Sequence, residues 1–123
     1  MSRLILIVED SAPCAETLQI ALESIPGVET RVSSSPNAAL ATALADGNEV
    51  AAVVTDLHLA QFDGLDLIRR FREQPRFADL PIVLISGDSD PGLPARALAE
   101  GANAFFSKPY SPSAVRRKLE QLI

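Results

Sequence analysis

A chain of 123 residues, 47% hydrophobic and 22% charged, has the size and composition of one soluble domain with a single core, and is too short for two. Eleven basic residues against sixteen acidic ones leave a net charge of -5, which argues against nucleic acid as a direct partner over most of the surface. Its longest apolar runs, 4–8 and 50–54, fall far short of a bilayer span, and a single cysteine (Cys14) and a single histidine (His58) exclude an internal disulfide and a Cys/His zinc site.

Short β-branched or leucine-rich runs alternate with longer helix-like stretches, the pattern of strand–helix units around a parallel sheet. Arg3 to Val8 reads as the first strand; Pro13 opens a helix whose Leu18, Leu22 and Ile25 form a core stripe until Pro26-Gly27 stops it. The second strand, Val28 to Ser33, carries Arg31 and reads as an edge, and Ser35-Pro36 starts the second helix with a hydroxyl N-cap. Val50 to Thr55 is the third strand, followed by a helix from Gly64 through Leu65, Ile68 and Phe71 to Glu73. Pro81 to Ile85 is the fourth, and Pro91, Gly92 and Pro94 confine the next helix to Leu93 to Glu100, with Gly101 as its left-handed cap. Ala104 to Ser107 is the fifth strand, and Ser111-Pro112 starts a last helix running to the final residue, which leaves no length for an effector domain. The expectation is one doubly wound α/β domain over residues 1–123, with strand order 2-1-3-4-5.

In an open parallel sheet, ligands bind beyond the carboxyl ends of the strands, where the strand order reverses. Glu9-Asp10 follows the first strand, Asp56 the third, Ser86 the fourth and Lys108-Pro109 the fifth, so the polar residues of interest share one edge. With the first and third strands adjacent, Glu9, Asp10 and Asp56 converge, and three carboxylates together call for a cation. The oxygen donors suit a hard divalent metal. Taken singly, Asp10 or Asp56 reads as a turn former or helix cap, Ser86 as a turn serine, His58 as a loop residue and Cys14 as a small packing residue; it is the combination that points to chemistry.

The order and spacing of Glu9-Asp10, Asp56, Asp63-Gly64, Ser86, Gly101-Ala102 and Lys108-Pro109 across five strands resemble the receiver domain of two-component response regulators over essentially the whole chain. The resemblance implies a flavodoxin-like (βα)5 fold and a regulator that assists its own aspartyl phosphorylation and dephosphorylation instead of acting on other substrates. It implies that Asp56 accepts a phosphoryl group from a sensor histidine kinase or histidine phosphotransfer protein, and that Glu9, Asp10, Asp56 and the backbone carbonyl of His58 hold Mg2+. Ser86 and Lys108 would contact phosphoryl oxygens, and Phe105 would be the aromatic switch residue. His58 and Asp88 would flank the hydrolytic water and tune lifetime. Output would leave through the fourth helix, fifth strand and fifth helix, to a downstream protein or a second copy; no membrane and no direct nucleic acid are expected, and the location is cytoplasmic. The sequence departs from the family at Gly87, where alanine is commoner, at Ala60, where proline is frequent, and in its proline-rich fourth helix.

Other uses of similar topology fit less well. A Toprim-type nucleic-acid enzyme would want a second acid at His58 and a basic surface. A flavodoxin-like electron carrier would want a phosphate cradle where Glu9-Asp10 stands, which repels phosphate. A receiver-like protein-interaction module working without phosphorylation is the remaining alternative.

Overall fold

Strands that are apolar on both faces must be covered on both faces, and the chain meets that demand by winding helices over each side of one sheet. The computed structural model describes residues 3–45, 47–59 and 62–123. Its elements run β1 (Arg3–Val8), α1 (Ala12–Glu23), β2 (Val28–Ser33), α2 (Pro36–Leu44), β3 (Val50–Asp56), a two-rung antiparallel ladder of β4 (His58–Leu59) and β5 (Phe62–Asp63), α3 (Gly64–Arg72), β6 (Ile82–Ser86), α4 (Leu93–Glu100), β7 (Ala104–Ser107) and α5 (Pro112–Leu122). The main sheet is parallel throughout, in the order β2-β1-β3-β6-β7. Leaving the small ladder aside, this is the expected 2-1-3-4-5, with β2 at an edge.

Side chains alternate across the sheet, so each strand feeds two cores. Leu4, Leu6, Val53, Ile82 and Leu84 pack with α2, α3 and α4 through Ala39, Leu67, Phe71, Leu93 and Ala97. Ile5, Ile7, Val54, Val83 and Ile85 pack with α1 and α5 through Leu18, Leu22, Val115 and Leu119. Phe71 is completely buried, a position where truncation to alanine costs about 3–5 kcal/mol.

The helix signals are honoured unevenly. Ser35 Oγ accepts from the Ala38 amide at 3.3 Å, as a capping serine should. Gly101 ends α4 with φ +115°, a backbone that glycine adopts without penalty. Ser111, by contrast, occupies the N-cap position of α5 without capping it; its hydroxyl pairs with Ser113 Oγ at 3.1 Å. Ser35→Ala is therefore expected to lower stability by about 1 kcal/mol in urea denaturation, and Ser111→Ala by less than about half of that. Equal losses would contradict the assignment.

Boundaries shift by one residue at several places. β3 continues to Asp56 and β6 to Ser86, whereas the sequence pattern stopped at Thr55 and Ile85; Asp56 is in register with Ile85 as the last rung between the two strands. The apolar pattern ends where the ladder does not, because main-chain pairing carries a polar side chain as readily as an apolar one. The third helix closes at Arg72 with Glu73 as its C-cap, and α5 stops at Leu122, one residue before the chain ends. The departure at Ala60 lies outside the described residues.

Candidate functional site

All the expected polar residues do lie at the carboxyl edge of the sheet. Asp56 closes β3 and is only 7% exposed, and Glu9, just past β1, is 5% exposed. Lys108 follows β7 and reaches back over the sheet end. Its Nζ donates to Asp56 Oδ2 at 2.6 Å and lies 3.5 Å from Glu9 Oε1. The second Asp56 oxygen, Oδ1, accepts from the His58 amide at 3.2 Å. Both oxygens of the central carboxylate are thus held by donors from different loops, and its orientation is fixed before any ligand arrives.

The charge arithmetic is unbalanced. Two buried carboxylates face one ammonium, and burial pushes the Glu9 carboxyl up from its ordinary 4.5, helped by the neighbouring Asp56 carboxylate; Lys108 and the Ser11 backbone pull the other way. Burial pulls the Lys108 ammonium down, but its hydrogen bond to Asp56 and the charges of Asp56 and Glu9 outweigh that, and the net shift is upward from 10.5. The pair of acids retains an unneutralised negative charge among oxygen donors only. That is the environment a hard divalent cation fits.

The convergence of three carboxylates is not seen. Asp10 is exposed, its amide donating to Glu9 Oε2 at 3.1 Å, and no group of three acid, cysteine or histidine side chains stands close enough to hold an ion among the described residues. The two buried acids share the Lys108 ammonium, and a third carboxylate has no charge left to converge on. Glu9 and Asp56 are brought together as expected; Asp10 stands outside them.

Strand alternation divides the remaining residues. Asp56 is in phase with Ala52 and Val54, on the α1/α5 side, whereas Ser86 is in phase with Ile82 and Leu84, on the α4 side. Phe105, half-buried, packs on that same side and is the sheet partner of Leu84. Ser86 is fully buried, and its Oγ accepts from the Asp88 amide at 2.9 Å. His58 Nε2 lies 3.4 Å from Asp88 Oδ2 with the imidazole 71% exposed, so these two residues bridge the mouth of the site from opposite loops.

Several participants carry no sequence signal. Tyr110, half-buried beside the site, has its phenol pushed up to about 12, first by burial and then by the nearby Cys14 and Glu9. Together with Pro13, Cys14, Lys108 and Pro112 it lines an apolar cleft of about 580 Å³ between the start of α1 and the loop before α5. The basic run Arg116-Arg117-Lys118 of α5 is partly engaged within the molecule: Arg116 pairs with Glu120 at 3.3 Å and donates to Ser24 Oγ at 3.2 Å. No described helix is long and apolar enough to cross a membrane.

Residues 5–120 match the family described as the response regulator receiver domain. Among curated proteins, the chain is 33% identical over 119 residues to the two-component response regulator ORR3 of Oryza sativa, covering 97% of this chain and 89% of that protein. It is 25% identical over 119 residues to the chemotaxis protein CheY1 of Helicobacter pylori, covering 97% and 95%. A solved structure of a putative response regulator from Chloroflexus aurantiacus superposes with a TM-score of 0.87 at 27% identity, over 99% of this chain and 98% of that one.

Proposed function

Because the chain belongs to the response regulator receiver domain family, a family of signalling regulators and not of enzymes in the ordinary sense, we propose that it is a phosphoacceptor switch with Asp56 as the acceptor. The observation that carries this reading is the Asp56 carboxylate itself, buried at the end of the central strand and held on one oxygen by Lys108 and on the other by the His58 amide. A phosphohistidine on a sensor kinase or histidine phosphotransfer protein is the donor class. An Asp56 oxygen forms a bond to phosphorus, the phosphorus–nitrogen bond breaks, and the leaving imidazole takes up a proton.

The protein's share in that transfer is positioning and charge compensation. Lys108, already bonded to Asp56, offsets charge on one phosphoryl oxygen, and Ser86 Oγ keeps a hydrogen to donate to another. The residues that would hold Mg2+ are Glu9, Asp10 and Asp56 with the His58 carbonyl. Bound there, the ion supplies Lewis-acid neutralisation of phosphoryl oxygens. Hydrolysis of the acyl phosphate by water returns Asp56 to its starting form, and the exposed His58–Asp88 pair across the mouth sets how readily water enters.

Phosphorylation adds about -1.5 to -2 charges to a pocket already carrying excess negative charge. Ser86 and Phe105, on the α4 side of the sheet, are placed to answer it, and the surface of α4, β7 and α5 is where a downstream protein or a second copy would read the change. Incubation with a small acyl phosphate and Mg2+, followed by peptide mapping, should place a base-labile, acid-stable adduct on Asp56 and none in Asp56→Asn. Label on Ser86, or persisting in the variant, would overturn the assignment; an unlabelled wild-type protein would leave a binding module that works without phosphorylation.

A further inference from the structure

Between Ser86 and α4 the chain makes two successive aspartate turns. The Asp88 amide donates to Ser86 Oγ at 2.9 Å, the Asp90 amide to Asp88 Oδ1 at 2.9 Å, and the Gly92 amide to Asp90 Oδ1 at 2.9 Å. The second oxygen of Asp90, Oδ2, receives Arg96 Nη2 at 2.8 Å, one turn inside α4. A continuous series of hydrogen bonds therefore leads from the buried hydroxyl to the first turn of the helix. Gly92 caps that end with no side-chain acceptor, and Pro94 removes one amide donor from the first turn.

The other end of α4 is fixed. Arg69 of α3 grips Glu100 with both arms of its guanidinium, Nε to Oε2 at 2.7 Å and Nη2 to Oε1 at 3.0 Å, and is itself paired with Asp66. Arg72 donates to the Gly101 carbonyl through Nε at 3.1 Å and Nη2 at 2.6 Å, to Asn103 Oδ1 at 3.0 Å and to the Phe77 carbonyl at 2.8 Å. Asn103 Oδ1 in turn accepts from the Ile82 amide of β6. Bidentate arginine pairs are the geometry in which an exposed ion pair holds most firmly. Along α4 only Leu93 and Ala97 are buried, Leu93 holding the first turn against the core, so the exposed residues of that turn depend on the aspartate turns for the rest of their support.

We infer that Asp90 is a coupling residue: it ties the position of the Ser86 hydroxyl to the first turn of α4, which pivots about a C-terminal end clamped to α3 by Arg69 and Arg72. The inference rests on Asp56 being the acceptor, since it is charge arriving there that draws Ser86. It assigns the transmission to a residue that touches neither phosphoryl group nor metal. It also assigns a direction to the motion, larger in the first turn of α4 than at Gly101.

The test compares wild type, Asp90→Ala and Asp90→Asn as full-length chains, with Mg2+ and beryllofluoride as the phosphoryl mimic. Amide shifts of the Asp56 and Ser86 loops should change alike in all three. The shifts at Gly92 to Ala97 should fall to about a third or less in Asp90→Ala and recover in Asp90→Asn, whose amide oxygen still accepts from Gly92. Native-state amide exchange without beryllofluoride provides the arm independent of the acceptor reading. Exchange at Gly92 and Leu93 should rise about fivefold in both Asp90→Ala and Ser86→Ala, with Gly101 to Asn103 unchanged. Wild-type α4 shifts in Asp90→Ala, largest changes at Glu100 to Asn103, or unaltered exchange in both variants would overturn the relay. No response of the Asp56 loop in wild type would instead overturn the acceptor reading, leaving exchange to decide the relay.

Discussion

Lys108→Met is expected to slow aspartyl phosphorylation about a hundredfold and to cost about 2 kcal/mol of stability at neutral pH. The ammonium bridges two carboxylates, one 7% and one 5% exposed. Methionine keeps the bulk of the stem but leaves both acids without a counter-ion, the case in which a broken ion pair is most costly. Magnesium binding should survive largely intact, because lysine supplies no ligand. The pH dependence has a definite sign. A carboxyl whose native pKa is raised holds its proton more tightly folded than unfolded, so the Glu9 shift makes stability fall as pH rises from 4.5 through the raised value. Lys108 opposes that rise, and its removal should steepen the fall. At the alkaline end, the raised ammonium contributes stability that is complete below 10.5 and lost as pH rises through the native value; the variant has none to lose. Urea titrations in chelator from pH 4 to 11, with acyl phosphate labelling alongside, measure both effects. Parallel stability curves together with unchanged labelling would contradict the bridging role.

What the sequence made legible was whatever depends on periodicity and punctuation. The strands β1, β2 and β7 and the helix α4 have the expected bounds: the apolar runs of β1 and β7 end at Glu9 and next to Lys108, β2 starts after Gly27, and Gly101 caps α4. With β3 and β6, whose ends the sequence pattern put one residue short, these elements bring Glu9, Asp56, Ser86 and Lys108 to one edge. What stayed hidden depends on side-chain direction within that edge. That Asp10 lies in solvent while Glu9 turns inward is settled by the single ammonium of Lys108, which lies 99 residues from Glu9 along the chain. The Arg72 cluster joins Gly101, Asn103 and the Phe77 carbonyl, and a basic residue late in a helix looks in sequence like a complement to the helix dipole. Asp90 carries no distinctive sequence signal, because accepting from the amide two residues on leaves only the weak signature of a turn former.

Gly64→Ala is expected to be the most damaging single-methyl change in the chain, although Gly64 has no left-handed backbone to protect. A Cβ there would stand 2.4 Å from the Asp56 carbonyl oxygen and 3.0 Å from both Leu57 Cα and Leu84 Cδ1. Backbone atoms of Asp56 cannot swing aside as a flexible side chain can, and the Gly64 amide is bonded to the Leu57 carbonyl at 2.7 Å, which holds the two segments together. The clash must be relieved by moving the start of α3, where Asp63 Oδ1 caps the Leu65 amide, or by moving Asp56. Either way the cost is about 2–3 kcal/mol, and, with Asp56 as the proposed acceptor, its displacement is expected to slow labelling about a hundredfold for each ångström of misplacement. Gly87→Ala is the matched control. Its Cβ would meet only Lys108 Cβ at 3.7 Å and Cδ at 3.8 Å, ordinary contacts, so the alanine that is commoner there in the family should be accommodated with little change. Thermal unfolding and acyl phosphate labelling of the two variants side by side decide the matter. Equal stability and equal labelling of Gly64→Ala and Gly87→Ala would show that the backbone of Asp56 has room that the close approach of α3 denies it.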